Sequence, residues 1–464
     1  MTSIRSIPRR WLVRGVVGLL ALALLAPAAT SGVGYLTTTE DPTNLRASVD
    51  EPANGTTIIS IQGFHFQGMA NENKPARLVA VGPRGNVEWV HDGTGFDATW
   101  FYDVDPLDDG NLLVTATAQG ETLVYELDPD TQERVWTERL DIHDTHDVDL
   151  INGDQLLVAN MRESGKEDRI FVYDRGEGEI VWEWYFDDHY PEDVGGPAND
   201  WTHVNDIDKI GDGEYLVSPR NFDQVVVVNR STNEIDMRLG EDGDHDTLYE
   251  QHNPTYLESE DGTPTVLVAD SENDRLVEYE REGDEEWERT WQVGTAGLSW
   301  PRDADRLPNG NTMVVDTMNQ RVFETTPEGE IVWEFHAPWA PYDVERVQLG
   351  DEPGGPTIAD MNASGNYSLG GSGLSVSNSR GVSFWLEETF AGTPVESQAN
   401  EFARTWAHVA PWIRPVWMTG WEFLAAIFGG VALVAWGLGE AVYQRGRIRN
   451  RVSRVVRRVR NVGE

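Results

Sequence analysis

The sequence predicts an all-β protein, a six-bladed β-propeller, with N- and C-terminal transmembrane helices. Three observations predict it. A strand–turn–strand unit ending in tryptophan or its equivalent recurs six times between about Thr56 and Gly350. An acid-led strand–turn–strand unit alternates with it, and one long apolar run lies near each end of the 464-residue chain. Length alone allows two or three average domains, but a repeat architecture absorbs it in one.

The tryptophan unit reads ARLVAVGPRGNVEWV (76–90), TLVYELDPDTQERVW (122–136), RIFVYDRGEGEIVW (169–182), QVVVVNRSTNEIDM (224–237), RLVEYEREGDEEW (275–287) and RVFETTPEGEIVW (321–333). The acid-led unit reads DVDPLDDGNLLV, DVDLINGDQLLV, DIDKIGDGEYLV and DADRLPNGNTMVV, with a diverged PTYLESEDGTPTVLV and an incomplete DVERVQLGD. Its starts at Asp103, Asp147, Asp206, Pro254, Asp303 and Asp343 are 44, 59, 48, 49 and 40 residues apart. Period-two alternation broken by Gly, Asn and Asp turns argues strands throughout. Four short strands per repeat, six times over, is the pattern of propeller blades, whereas a β-helix requires a shorter and stricter period. The first tryptophan unit and the last acid-led unit are orphans. Together they predict one blade assembled from both ends of the repeat, which closes the ring.

The ends differ from the middle. Residues 1–14 form a basic end with Arg5, Arg9, Arg10 and Arg14 and no acid. The apolar run 15–36 predicts a transmembrane helix or signal anchor, with Ala26-Pro27-Ala28 as an alternative cleavage site. The propeller is placed at 50–355, followed by a Gly/Ser-rich tether and membrane-proximal stalk at 356–415. Residues 416–443 are apolar and carry Trp417, Trp421, Trp436 and Tyr443 at belt-like positions, predicting a second transmembrane helix rather than a buried core helix. Eight arginines follow between Arg445 and Arg460, in a tail at 444–464. By the positive-inside rule both termini are cytoplasmic and the propeller lies on the extracellular side of the cell membrane.

Composition excludes several functions. The formal charge is −43, from 79 acidic against 36 basic residues, and the acids are spread over nearly every segment. That balance excludes a phosphate-backbone binder, so no nucleic acid partner is expected. It fits a halophilic protein, whose dense surface charge is screened by salt. The absence of cysteine excludes disulfides, a thiolate nucleophile and Cys-ligated metals.

In a propeller the residues at the heads of the innermost strands gather into one axial funnel. Those heads read Trp100-Phe101-Tyr102, Asp144-Thr145-His146, His203-Val204-Asn205, Gln251-His252-Asn253, Trp300-Pro301-Arg302 and Ala340-Pro341-Tyr342. Three of the chain's ten histidines fall there. One alone reads as a strand cap; three at equivalent places on consecutive blades point to a site. Arg220, delivered at the far end of the hairpin that His203 and Asn205 begin, argues for an anionic group rather than a metal, because guanidinium pairs bidentately with oxyanions. No metal set is expected, since no carboxylate is placed in an evident facial triad. Trp100, Tyr102, Trp201, Trp300 and Tyr342 are candidates to stack on an aromatic substrate, with Asn253 and Arg302 beside them.

The ordered motifs THDVDLINGDQLLV, THVNDIDKIGDGEYLVSPRN and QHNPTYL, with the repeated D-R-x-x-x-Y and E-I-V-W strands, resemble the arylsulfotransferase family over roughly 56–350. The most specific is the H-x-N-D unit followed after one hairpin by S-x-R. The resemblance implies transfer of a sulfuryl group from an aryl sulfate to a phenolic acceptor, without a nucleotide donor or a cofactor. It implies a ping-pong course through His252, which becomes sulfurylated. His146, His203, Asn205 and Arg220 would bind the sulfuryl oxygens and handle protons. The chain departs from the family's bacterial periplasmic members in being more compact, lacking the cysteine pair of some of them, and adding a C-terminal membrane segment. The alternative is a non-catalytic extracellular propeller serving as sensor or assembly platform. A quinoprotein or lactonase-like propeller would need a metal-binding set that the sequence does not display.

Overall fold

The alternating units fold as antiparallel four-stranded sheets because each presents an apolar face on both sides of its middle strands. In the computed structural model residues 8–460 are described, apart from 38–44, 67–68, 71–73, 94–97, 163–166, 284–285, 295–296, 372–380 and positions 119, 143, 192 and 416. The basic end through residue 7, the last four residues of the tail and residues 372–380 of the Gly/Ser-rich run lie outside the described residues.

Six such sheets form the propeller. In the second blade the strands Trp100–Pro106, Leu112–Ala118, Glu121–Leu127 and Arg134–Leu140 run from the innermost to the outermost position, and the third to sixth blades repeat this order. The first blade is the exception that closes the ring. Its innermost strand, Pro341–Arg346, comes from the end of the repeat and pairs with Thr57–Ile61 from its start. The orphan units of the sequence are thus the two parts of one blade. Arg46–Val49 adds a further closure, pairing on the outer edge of the last blade with Trp333–His336.

Energetically the ring is held between blades rather than within them. Six clusters of buried apolar residues fill the six junctions between neighbouring blades. Trp89, Trp136, Trp182, Trp287 and Trp333 of the recurring outer strand pack against these clusters. The tryptophan periodicity therefore marks the material that glues blade to blade. It is not a surface feature.

Downstream of the propeller the chain does more than the sequence predicts. Gly365–Tyr367 and Gly370–Gly371, from the stretch read as a tether, add parallel strands to the outer edges of the fifth and sixth blades. Ile358, Ala363, Tyr367 and Leu369 enter the cluster between those blades. After the N-terminal helix α1 (Arg9–Thr37), the region read as a stalk holds two further helices, α2 (Val382–Phe390) and α3 (Glu396–Ile413). α3 lies against the propeller: Gln320 donates to the Pro411 carbonyl at 3.0 Å, and the Lys74 ammonium donates to the Trp412 carbonyl.

The remaining unit is a pair of helices, Arg9–Thr37 and Gly420–Arg460. Their apolar segments Trp11–Gly34 and Gly420–Gly446 are long and apolar enough to cross a membrane. They pack antiparallel, since Arg14 forks onto Glu440 at 2.6 and 2.7 Å while Ser31 donates to Glu422 at 2.6 Å. Small residues bring them close: a Cβ on Gly32 would meet the Trp417 ring at 3.2 Å, and one on Gly429 would meet Leu25 at 2.9 Å.

Candidate active site

The heads of the innermost strands leave the ladder before the strand begins, and that break aims their side chains. In the fifth blade His252 pairs with Ala269, but the next partners are Thr255 and Leu267, so the inner strand carries an extra residue there. The same break separates Phe101 from Asp103, Val204 from Ile207 and Pro301 from Asp303. Bulges of this kind re-aim side chains at functional rims. Several head residues also take up left-handed backbone without being glycine: His203, Glu250, Asn253, Trp300 and Ala340 have φ of 45°, 46°, 26°, 56° and 55°. Strain of that sort persists only where surrounding contacts enforce it, and it clusters at working sites.

The result is an aromatic and cationic cage at one end of the channel. Tyr102 stacks on His146 at 4.0 Å between ring centroids, and Tyr342 meets both edge-on at 5.0 and 5.3 Å. His203 lies 5.2 Å from His146, while His252 lies 5.8 Å from Trp300 and 6.1 Å from Tyr342. Trp100 extends the cage outward from Tyr102 at 5.6 Å. Arg302 sits over the Trp300 and Tyr342 rings at 4.4 and 4.7 Å.

The three histidines differ in what they can do, and their partners say how. His252 is 0 % exposed. Its Nδ1 lies 2.8 Å from Ser271 Oγ, whose single proton goes to the Pro301 carbonyl at 2.7 Å. The serine must then accept from His252 Nδ1–H, which leaves the lone pair on Nε2, a buried atom with no hydrogen-bond partner. Burial, then Arg302 and Arg220, hold the ring well below its usual pKa and therefore neutral. His203 is tied at both nitrogens: Nδ1–H donates to Asp200 at 2.8 Å and Nε2 accepts from Arg220 at 3.1 Å. Burial and Arg220 push it down to about 3. His146 shares Nδ1 with the Tyr342 hydroxyl at 3.0 Å, keeps Nε2 unpartnered, and is held well below its usual pKa by burial and then by His203.

The cations differ as well. Arg220 is neutralised by Glu250 at 2.6 Å. Arg162, which the sequence reading missed, pairs with Asp200 at 2.9 Å and with Asp144. Arg302 is 6 % exposed and pairs with no carboxylate among the described residues. It donates to Gln62 at 2.8 Å and leaves its Nε–H without a partner, while burial lowers its pKa to about 10. A buried cation that lacks an anion is costly unless an anion arrives.

Three expected residues take other places. Trp201 does not face the funnel: it is 1 % exposed, packs on Phe222 at 5.3 Å in the cluster between the third and fourth blades, and donates to the Val194 carbonyl at 2.7 Å. Trp201 lies two residues before His203, and regular alternation would put both on one side; the left-handed backbone at His203 breaks that alternation. Trp201→Ala is expected to cost about 3–5 kcal/mol of stability by opening a core cavity. Denaturant midpoint and KM measured together check this: KM is expected to stay unchanged. Asn253 turns away from the histidines toward the deeper part of the channel. Asn205 donates its amide to the Gln251 carbonyl at 2.9 Å, steadying the chain immediately before His252.

Two further features escaped sequence reasoning. Ser271 sits in a D-S-E-N-D-R turn that is the fifth-blade counterpart of the Ser218-Pro219-Arg220 turn, and that equivalence is the signal for it. Helix α3 adds Arg404 and His408. His408 reaches Trp300 at 5.3 Å and Glu272 at 3.5 Å, and Arg404 lies over Tyr249 at 5.6 Å. Between α3 and the propeller is a cavity of about 860 Å³ bordered by Ser271, Trp300, Arg404 and His408. Deeper in the channel, carboxylates line the walls. Asp105, Asp149 and Asp351 form one trio and Asp147, Asp206 and Asp208 another, with oxygens within 4.8 Å of one another. The sequence reading, which found no such trio, took these acids only as markers of the repeat.

A family model described as Arylsulfotransferase (ASST) matches residues 49–340, more than half the chain. No curated protein matches. Among solved structures, a protein of unknown function from Bacteroides caccae is similar at 14 % identity, covering 63 % of this chain and 98 % of its own, with a TM-score of 0.43. Virginiamycin B lyase from Staphylococcus aureus, solved as a catalytically inactive form with quinupristin, is similar at 9 % identity, 63 % and 89 % coverage and a TM-score of 0.38. A nidogen/laminin complex is similar at 12 % identity, 62 % and 97 % coverage and a TM-score of 0.43.

Proposed function

The chain belongs to the arylsulfotransferase family, and from that premise we propose that it moves a sulfuryl group from an aryl sulfate to a phenolic or other hydroxyl acceptor through sulfo-His252. The observation that carries this is an unpartnered, neutral nitrogen, His252 Nε2, on a ring that feels the charge of a buried guanidinium, Arg302, which pairs with no carboxylate among the described residues.

In the first half-reaction the Nε2 lone pair attacks sulfur. The sulfur–oxygen ester bond breaks and its electron pair leaves on the phenolate oxygen. The sulfurylated imidazole keeps its Nδ1 proton, held by Ser271, so the ring carries a positive charge and is a good leaving group for the second step. Arg302 supplies the charge that the sulfuryl oxygens need, in a site where such a donor costs no reorganisation. In the second half-reaction His146 Nε2 takes the proton of the incoming phenol, whose oxygen attacks sulfur and returns His252 to neutrality. That proton leaves with the next phenolate. His203, tied at both nitrogens, orients Arg220 rather than handling protons. Trp300 walls both the histidine and the cavity beneath α3, which gives an aromatic ring a place to stack.

Because both working histidines must be neutral and burial holds them so, kcat/KM is expected to stay flat as pH falls through 6.5, the ordinary histidine value. A pH profile with an acid limb centred near 6.5 contradicts the assignment. The assay that tests the function is release of a phenol from an aryl sulfate, dependent on a second phenol.

The two apolar helices support a membrane location with the propeller outside. The antiparallel pair puts both termini on one side of a membrane, and their arginines favour the cytoplasmic side. The propeller then faces the exterior, where an aryl sulfate donor, unlike a nucleotide donor, need not come from the cytoplasm. Protease added to intact cells is expected to degrade residues 56–350 and spare the arginine tail; protection of the propeller contradicts this.

A further inference from the structure

Each of five blades begins its innermost strand with an acid, any residue, and a second acid: Asp103 and Asp105, Asp147 and Asp149, Asp206 and Asp208, Asp303 and Asp305, Asp343 and Glu345. The first acids have a structural task. Asp147 accepts from the Ile207 N–H at 2.5 Å, Asp303 from the Val344 N–H at 3.2 Å and Asp343 from the Val104 N–H at 3.0 Å. Each ties its blade to the innermost strand of the next, whose outward N–H groups would otherwise lack acceptors. Of the second acids, Asp149 does the same for the Lys209 N–H at 2.9 Å, but Glu345 and Asp305 are not explained in this way. Glu345 is 5 % exposed and Asp305 3 %, yet Glu345 Oε2 and Asp305 Oδ2 accept no hydrogen bond. Neither belongs to the two carboxylate trios. The amide oxygen of Asn253, neutral and also without a partner, faces the same space.

That space is a cavity of about 20 Å³ lined by twelve carboxylates, and no lysine or arginine borders it among the described residues. It is large enough for about one ion with little room for water. We propose that the axial channel, on the far side of the histidines, holds a calcium ion that closes the propeller from within. The donors are hard oxygens, which suits calcium or magnesium over zinc. The number of oxygens and the lack of space decide between those two: calcium takes six to eight oxygens largely from the protein, whereas magnesium keeps several waters, for which this cavity has no room. Unpartnered Glu345, Asp305 and Asn253 oxygens complete a shell that three carboxylates cannot fill. The site is separate from the sulfuryl chemistry: its carboxylate ligands lie on the innermost strands past the bulges that aim the histidines, or, for Asp351, in the bend that follows Pro341–Arg346.

The test uses the full-length protein in detergent and molar KCl, so that charge screening is constant. After calcium loading and exhaustive buffer exchange, metal analysis is expected to find about one calcium ion per chain. A calcium chelator is expected to lower the melting midpoint, by about 5 °C or more, and added CaCl₂ to restore it, whereas MgCl₂ at equal ionic strength does not. The double variant Asp105→Asn, Asp351→Asn is expected to retain no calcium and to ignore it. It should melt no lower than chelated wild type, because it sheds buried charge. Should that variant not fold, Glu345→Gln is the second probe, expected to weaken calcium binding about tenfold. Failure to retain calcium, a midpoint indifferent to calcium, equal restoration by magnesium, or undiminished binding by the variants each overturns the proposal.

Discussion

His252→Ala is expected to abolish sulfuryl transfer while leaving the propeller folded. The imidazole is buried and its loss opens a cavity, but the blade keeps its ladder beyond the bulge, from Thr255 to Glu258 against Pro264 to Leu267. No neighbour can stand in for Nε2. His203 has both nitrogens engaged, and His146 is fixed by Tyr342 on another part of the ring. Steady-state turnover and a melting curve on the same preparation check it. Transfer at near wild-type rate would remove His252 from the nucleophile's role. Ser271→Ala is the informative companion. It frees Nδ1 and lets the lone pair sit on either nitrogen, so it should slow turnover without removing it.

The second large effect is expected at Arg302, and it has two signs. Arg302→Gln removes the cation that meets the sulfuryl oxygens, so kcat/KM should fall by about 10²–10³, the usual consequence of deleting one oxyanion donor. The same substitution relieves the resting protein of a buried charge that pairs with no carboxylate among the described residues, so the melting midpoint should hold or rise. Arg220→Gln should behave otherwise. It strands Glu250 and the His203 Nε2 acceptor, so stability and activity should fall together. Rate constants and midpoints for the two variants, set side by side, separate an anion-binding arginine from an architectural one. Parallel losses in both variants would contradict the distinction.

Much of the fold could be read from the chain because a propeller writes its repeat into the sequence twice, in the tryptophan strand and in the acid-led strand. Even the split blade was visible, as two orphan units. The funnel's membership followed from counting to the same place in each repeat, which is why His146, His203, His252, Trp300, Arg302 and Tyr342 are found together. What counting cannot supply is direction and pairing. Trp201 and His203 are two residues apart in a bulged, left-handed segment, and only the folded backbone decides that one enters a blade junction and the other the funnel. Whether an arginine is free for substrate depends on distant partners: Glu250 for Arg220, Asp144 and Asp200 for Arg162. α3 was illegible for a different reason. Residues 396–413 repeat nothing in the propeller, and the amphipathic pattern in them is diluted by polar residues that face the cavity.

The most direct test of the central claim is the mass of the enzyme itself. Incubated with an aryl sulfate and no acceptor, the protein is expected to gain one sulfuryl group, mapping after digestion to the peptide that contains His252 and discharging when a phenol is added. The His252→Ala variant should show no such gain. An adduct on His146 or His203, or turnover with no adduct at any histidine, would contradict the account.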